Sequence, residues 1–265
     1  MIAGWCRSLI RFTVLLETLL ENIVRFGILR LLLLRPPTVA ERAQWLHCSC
    51  LRVLTRLSFG SSSSGPLPAR GLIVSNHLSH LDILLYGATL PCVFVAKKEV
   101  RRWPIFGLLA QLAGTVFIER GNALSTAATA RQIEELLNQQ VPVMLFPEGT
   151  SSDGTTVLRF HSALFESAIR AGAPITTAAI RYAAGPAVPE SELCYFGEVR
   201  FAPHLLKTLG RPGVSGRIEF AREPVVYPDR RSAARETWRQ VMKLRGNPTP
   251  GDPQPVGSSA IELEP

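Results

Sequence analysis

A histidine followed five residues later by an aspartate, within Ser75-Asn76-His77-Leu78-Ser79-His80-Leu81-Asp82, is the pair in this chain best suited to moving a proton. The segment follows an apolar run, Leu72–Val74, and precedes Ile83-Leu84-Leu85, so it lies where a strand gives way to a helix. Ligands of α/β sheets bind at that edge. On a regular helix His77 and Asp82 would point about 140° apart. They can meet only if His77 sits in the loop before the first turn. Asp82 would then accept a hydrogen bond from one ring nitrogen, fix the tautomer, and leave the other nitrogen to take a proton from an alcohol. The plainer alternative is a capping or packing role for both. A metal site at His80 and Asp82 lacks nearby third and fourth ligands, so none is expected, and His80 reads as pocket-lining or exposed. Ser75 and Ser79 stand close to His77, but no Gly-x-Ser-x-Gly elbow supports a hydrolase.

Two more polar clusters close apolar runs: Gly114-Thr115-Val116-Phe117-Ile118-Glu119-Arg120 and Phe146-Pro147-Glu148-Gly149-Thr150-Ser151. Arg120 at a strand end could grip a phosphate or carboxylate in bidentate fashion, or simply pair with Glu119. Gly149 would let a ligand approach backbone N–H groups, with Thr150 and Ser151 adding hydroxyls, or it could be an ordinary turn.

The elements that must carry these clusters show in the patterning. Leu72–Val74, Val93–Ala96, Val116–Ile118, Val143–Phe146 and Ile175–Ile180 are short β-type runs separated by helix-length segments. This predicts an α/β fold with a single, largely parallel sheet covered by helices. Ala130, Ile133 and Leu137 recur at helical spacing as the inner face of a crossover helix. Pro36 and Pro37 should end a first helix, and Thr38 with Glu41 should cap a second running to about Leu57. Ser61 to Pro66 reads as a linker. Three regions are expected: a helical membrane-associating part over 1–60, a core domain over 67–245, and a disordered tail over 246–265, rich in Pro, Gly and Ser.

The first 35 residues are apolar but interrupted by Glu17, Glu21, Arg25 and Arg30. They offer no clean spanning run and predict an amphipathic helix lying in a membrane interface, with Arg7, Arg11, Arg30 and Arg35 attracted to anionic lipid. Packing against the protein's own core is the competing reading. A net charge of +8 suits polyanions, yet a mean hydropathy of +0.16 favours lipid over nucleic acid, which is not expected as a partner. Five cysteines without a CxxC pair indicate buried small side chains in a reducing compartment.

Together, Asn-His-x4-Asp, Gly-x2-Phe-Ile-Glu-Arg and Phe-Pro-Glu-Gly-Thr-Ser, in that order over residues 70 to 182, resemble the glycerolipid acyltransferase family, notably bacterial 1-acylglycerol-3-phosphate acyltransferases. Phe146-Pro-Glu-Gly-Thr-Ser-Ser-Asp-Gly154 with Tyr195-Phe-Gly-Glu198 is also similar to the lyso-ornithine lipid acyltransferase branch, although His161 follows Phe160 where a lysine is common. A Pro-φ-x-Pro pattern of the family reads here Ala173-Pro174-Ile175-Thr176-Thr177. The resemblance implies His77 as general base and Asp82 as its partner. It implies an acceptor site shaped by Phe117, Arg120, Glu148, Gly149 and Thr150, with Arg120 on the anionic head. The implied reaction moves a fatty acyl group from acyl-CoA or acyl-carrier protein, with no further cofactor, to a lysophospholipid hydroxyl. The first acceptor is 1-acylglycerol-3-phosphate, giving phosphatidic acid, and the alternative is lyso-ornithine lipid. The implied location is the cytoplasmic face of a bacterial inner membrane. A non-catalytic membrane-binding protein on the same fold is the rival from another class.

Overall fold

Two prolines in succession cannot continue a helix, and Pro36-Pro37 part the first two elements. In the computed structural model, which describes residues 2–119, 123–185 and 187–247, these are α1 (Ile2–Leu33) and α2 (Val39–Leu57). Thr38 and Glu41 form a reciprocal capping box at the start of α2, a device worth about 0.5–2 kcal/mol. Arg120 and the expected tail from residue 248 onward lie outside the described residues.

The strands are β1 (Gly60–Ser64), β2 (Leu72–Val74), β3 (Val93–Lys97), β4 (Val116–Ile118), β5 (Val143–Leu145), β6 (Ile175–Ala184) and β7 (Val214–Phe220). They form one sheet in the order β1-β7-β6-β2-β5-β3-β4. Among the strands of the described residues, only the β6–β7 pair is antiparallel. Around them lie α3 (Leu81–Thr89), α4 (Phe106–Ala113), α5 (Ala123–Asn138), α6 (Glu166–Arg170), α7 (Phe201–Gly210) and α8 (Arg230–Arg245). The α/β expectation of a largely parallel sheet flanked by helices therefore holds. The central strands are buried on both faces, which is why they read as unbroken apolar runs.

Ser61–Ser64 is a strand rather than a linker, paired in parallel with β7. Four largely exposed serines carry no periodicity; what makes them a strand is the free edge of β7. Gly60 is required there, because a Cβ would come within 2.9 Å of Ser215 Cβ.

Helix α1 is packed on the protein along one side. Leu15, Leu19 and Phe26 are buried, and Arg7, Ser8 and Arg11 donate to the closing carbonyls of α7. Arg7 and Arg11 thus satisfy groups that α7 leaves unpaired, and Arg35 pairs with Glu41 at 2.8 Å; they are not free lipid-facing charges. No helix among the described residues is long and apolar enough to cross a membrane. Cys50, Cys92 and Cys194 are buried as expected, whereas Cys6 is exposed and Cys48 half-buried.

Candidate active site

The site begins where β2 stops short and β6 does not. Val74 pairs with Thr177, and β6 runs seven residues further, so it flanks the loop that follows β2. Asn76 is clamped to that overhang: its Oδ1 accepts from Ile180 N at 2.9 Å and its Nδ2 donates to Ile180 O at 3.1 Å. Tyr86 donates to Ser75 Oγ at 2.6 Å from within α3. On the other side, His77 N donates to Glu148 Oε1 at 2.9 Å and His77 O accepts from Ser152 N at 2.9 Å. The loop is held from both neighbouring strands before its chemistry is considered.

His77 lies in the loop and Asp82 in the first turn of α3, so the two meet as their spacing demands. His77 Nδ1 stands 2.6 Å from Asp82 Oδ2. Leu78 N and Ser79 N donate to the same oxygen at 2.8 and 3.2 Å, and Tyr182 OH donates to Oδ1. A carboxylate that receives four donors is an acceptor only, so Nδ1 carries the ring proton and Nε2 is left with its lone pair. Asp82 is fully buried, while the His77 side chain is 23% exposed. The imidazole stacks on Phe146 with centroids 4.3 Å apart.

His77 opens onto a cavity of about 820 Å³. Its walls are mainly apolar, drawn from α1, α2, α3, α4 and α7, with Leu15, Leu19, Val53, Phe106, Phe201 and Leu205 among them. The lining also includes polar residues and a glycine, Thr150, Ser151, Lys97, Glu119 and Gly149. The expected acceptor-site residues separate here. Gly149 (φ +71°) and Thr150 line the cavity. Glu148 lies behind it, 3% exposed, with its carboxyl on the backbone N–H groups of His77 and Leu158. Burial pushes its pKa up to about 8, against the downward pull of those two N–H groups. Phe117 is half-buried on β4 and is not part of the cavity lining. Arg120 follows Glu119 directly and lies outside the described residues.

His80 does line the cavity, its ring edge-on to Tyr195, Phe201 and His204. Burial, with the neighbouring His204 and His77, lowers its pKa to about 3, so it stays neutral. Ser75 and Ser79 are both fully buried, which leaves neither placed as a nucleophile. Thr177 donates to Gln240 Oε1 at 2.7 Å, bracing β6 against α8. Sequence reasoning missed Tyr182, Asn76 and Arg245. Arg245 donates to Ile180 O and Gly154 O and pairs with Glu190 at 2.7 Å. Tyr182 and Arg245 carried no local motif, whereas Asn76 opened the Asn-His-x4-Asp motif without a role assigned to it.

Residues 62–181 match the model of the family described as Acyltransferase. A lyso-ornithine lipid O-acyltransferase of Pseudomonas aeruginosa is 35% identical over 203 residues, covering 75% of this chain and 78% of that protein. One of Rhizobium meliloti is 31% identical, over 83% and 82%. A 1-acyl-sn-glycerol-3-phosphate acyltransferase of Neisseria meningitidis is 40% identical over a shorter stretch, 49% of this chain and 52% of that one. In fold the chain resembles the crystal structure of the 1-acyl-sn-glycerophosphate acyltransferase PlsC of Thermotoga maritima, with a TM-score of 0.60 at 21% identity over 92% of this chain and 99% of that one. With relatives above 30% identity matched over more than three quarters of their length, the chain belongs to the acyltransferase family.

Proposed function

We propose that the protein transfers a fatty acyl group from a thioester to the hydroxyl of a lysolipid, with His77 as general base. The observation that carries this reading is the His77–Asp82 pair, its carboxylate buried and its imidazole opening onto an apolar cavity large enough for an acyl chain. His77 Nε2 takes the hydroxyl proton as the acceptor oxygen attacks the thioester carbonyl. The tetrahedral intermediate collapses with cleavage of the C–S bond, and the imidazolium returns its proton to the departing thiolate. Asp82 stabilises the transient positive charge on the ring. Gly149 N is occupied by Phe146 O at 3.0 Å, and the loop N–H groups of His77, Leu78 and Ser79 by carboxyl oxygens. The N–H groups of Thr150 and Ser151 are therefore the candidate donors to the oxyanion. The donor is acyl-CoA or an acyl-carrier protein, and no further cofactor enters the scheme.

The relatives that match most of the chain favour a lyso-ornithine lipid acceptor; the tighter local match favours 1-acylglycerol-3-phosphate. The test is thiol release from both donor types with a panel of lysolipids. Turnover with one head group selects the acceptor. Silence with every lysolipid removes the enzymatic reading in favour of a non-catalytic membrane protein on this fold. Arg120 is the proposed contact for the anionic head, so Arg120→Ala should raise acceptor KM about tenfold or more while donor KM stays put. An equal rise in both would leave Arg120 a structural ion-pair partner.

The protein would sit on the membrane's cytoplasmic face through the outer side of α1. Opposite its buried stripe, Leu9, Leu20, Val24, Ile28, Leu31 and Leu32 are each at least half exposed. A lipid interface is the occupant such a face suits; Glu17 and Glu21 lie on the same outer side, Glu21 paired with Arg25 and Arg56, which sets the helix at the wet level of the interface.

A further inference from the structure

Helix α4 carries two apolar sides, and only one of them is turned inward. At about 100° per residue, Phe106, Leu109, Ala110 and Ala113 share a side, and all four line the cavity. Gly107 and Gln111 share a second side, packed on the 3₁₀ turn Lys98–Arg102. There a Cβ on Gly107 would collide with Arg101 O, and Gln111 Oε1 accepts from Arg101 Nε at 3.3 Å. Leu108 and Leu112 form the third side, outside the cavity lining, with Leu112 half-buried and Leu108 45% exposed. A helix apolar on nearly every side is at home only where every side is covered. Yet of the eight residues of α4 only Gly107 and Ala113 are buried.

A single exposed leucine is ordinary, whereas a contiguous apolar patch calls for an occupant. Leu112 packs in one cluster with Phe26 and Leu29 of α1 and Trp45 of α2. Beside Leu29 the exposed side of α1 continues with Ile28 and Leu32, so the two helices present one apolar surface. Just ahead of α4 stand the exposed Arg101 and Arg102, cations that suit the headgroups of an anionic leaflet. We propose that the outer side of α4 is a membrane-contact surface, with Leu108 entering the acyl region of an anionic bilayer while Arg101 and Arg102 meet its headgroups. The cavity then lies one helix width, about 10 Å, from the bilayer. The proposal rests on the reading of the outer side of α1 as the membrane face, which α4 extends.

The experiment uses the full chain with Cys6→Ser, Cys48→Ser and Leu108→Cys, labelled at position 108 with nitrobenzoxadiazole; the remaining cysteines are buried. On vesicles of phosphatidylcholine and phosphatidylglycerol the emission should rise and shift to the blue. Nitroxides on lipid acyl chains should quench it more than nitroxides on headgroups. In unlabelled protein, Leu108→Asp should weaken co-sedimentation with these vesicles about tenfold, and Leu108→Phe should not. Arg102→Gln should weaken it about fivefold, with no change on phosphatidylcholine alone. The label reads the contact directly, so a poorly folding Leu108→Asp does not decide the matter. Emission that ignores vesicles to which the protein is bound overturns the assignment. So does emission that changes equally, without lipid, as protein concentration rises, which would give the face to a second copy of the chain. Both outcomes leave attachment through α1 standing. Wild-type protein that fails to sediment with anionic vesicles at all would overturn both readings.

Discussion

In the proposed mechanism His77 is held as a base by Asp82, on which four donors converge, and one of them, the Tyr182 hydroxyl, arrives from 100 residues away. His77→Ala should lower thiol release by about 10²–10⁴-fold with the fold retained, and Asp82→Asn nearly as much, since an amide no longer fixes the tautomer. Tyr182→Phe leaves Asp82 its other three donors and should cost about tenfold, a hydrogen bond's worth, chiefly in kcat. Near-wild-type release by His77→Ala would remove it from the mechanism. Glu148 makes a separate prediction. Its folded pKa of about 8 lies above the ordinary 4.5, so the folded state holds a proton that the unfolded chain has lost between those values. The stability this gives is fully present below about pH 4.5 and is lost as pH rises to about 8, at no more than about 1.4 kcal/mol per pH unit. Glu148→Gln cannot titrate, so its urea midpoint should change less with pH over that window. Parallel profiles for the two proteins would show Glu148 already ionised at the acid end.

At the scale of elements, α1 has two unlike sides, and the difference dictates how membrane attachment must be tested. Removing the helix would also strip Leu15 and Leu19 from the core and open the cavity. Substitution on the outer face avoids that. Leu20→Glu, Val24→Glu and Ile28→Glu together should weaken co-sedimentation with anionic vesicles by tenfold or more, since burying their side chains contributes roughly 1.5–3 kcal/mol each. Activity on detergent-dispersed lysolipid should survive. Undiminished sedimentation would move the attachment off α1. The two faces of α1 were only partly legible. The stripe of Glu17, Glu21 and Arg25 marked one side as polar, but which leucines face inward depends on where α2 and α7 lie. The capping box at Thr38 and Glu41 was legible because it is complete within four residues.

Across the whole molecule, Arg245 near the end of α8 joins parts that sequence keeps far apart: the β6 overhang at Ile180, the turn at Gly154, and Glu190. The guanidinium is buried, so Arg245→Met, which leaves Glu190 without its ion-pair partner and takes one donor each from Ile180 O and Gly154 O, should cost about 3–5 kcal/mol in urea unfolding. It should also lower activity, because Asn76 is clamped to the same Ile180. A loss below about 1 kcal/mol would mean that water replaces the guanidinium freely. The amino-acid sequence by itself determined the five parallel core strands, the loop position of His77 and its pairing with Asp82, because burial on both sheet faces and a loop-to-helix turn are properties of a few adjacent residues. It also carried the family, through three motifs in order. The β1 edge strand, the Tyr182 donor to Asp82, the clamp of Asn76 on Ile180, and the place of Glu148 behind the cavity rather than in it were decided by tertiary structure alone. Each depends on contacts between residues distant in the chain, and the free energy of such a contact exists only once the chain between them has been folded into place.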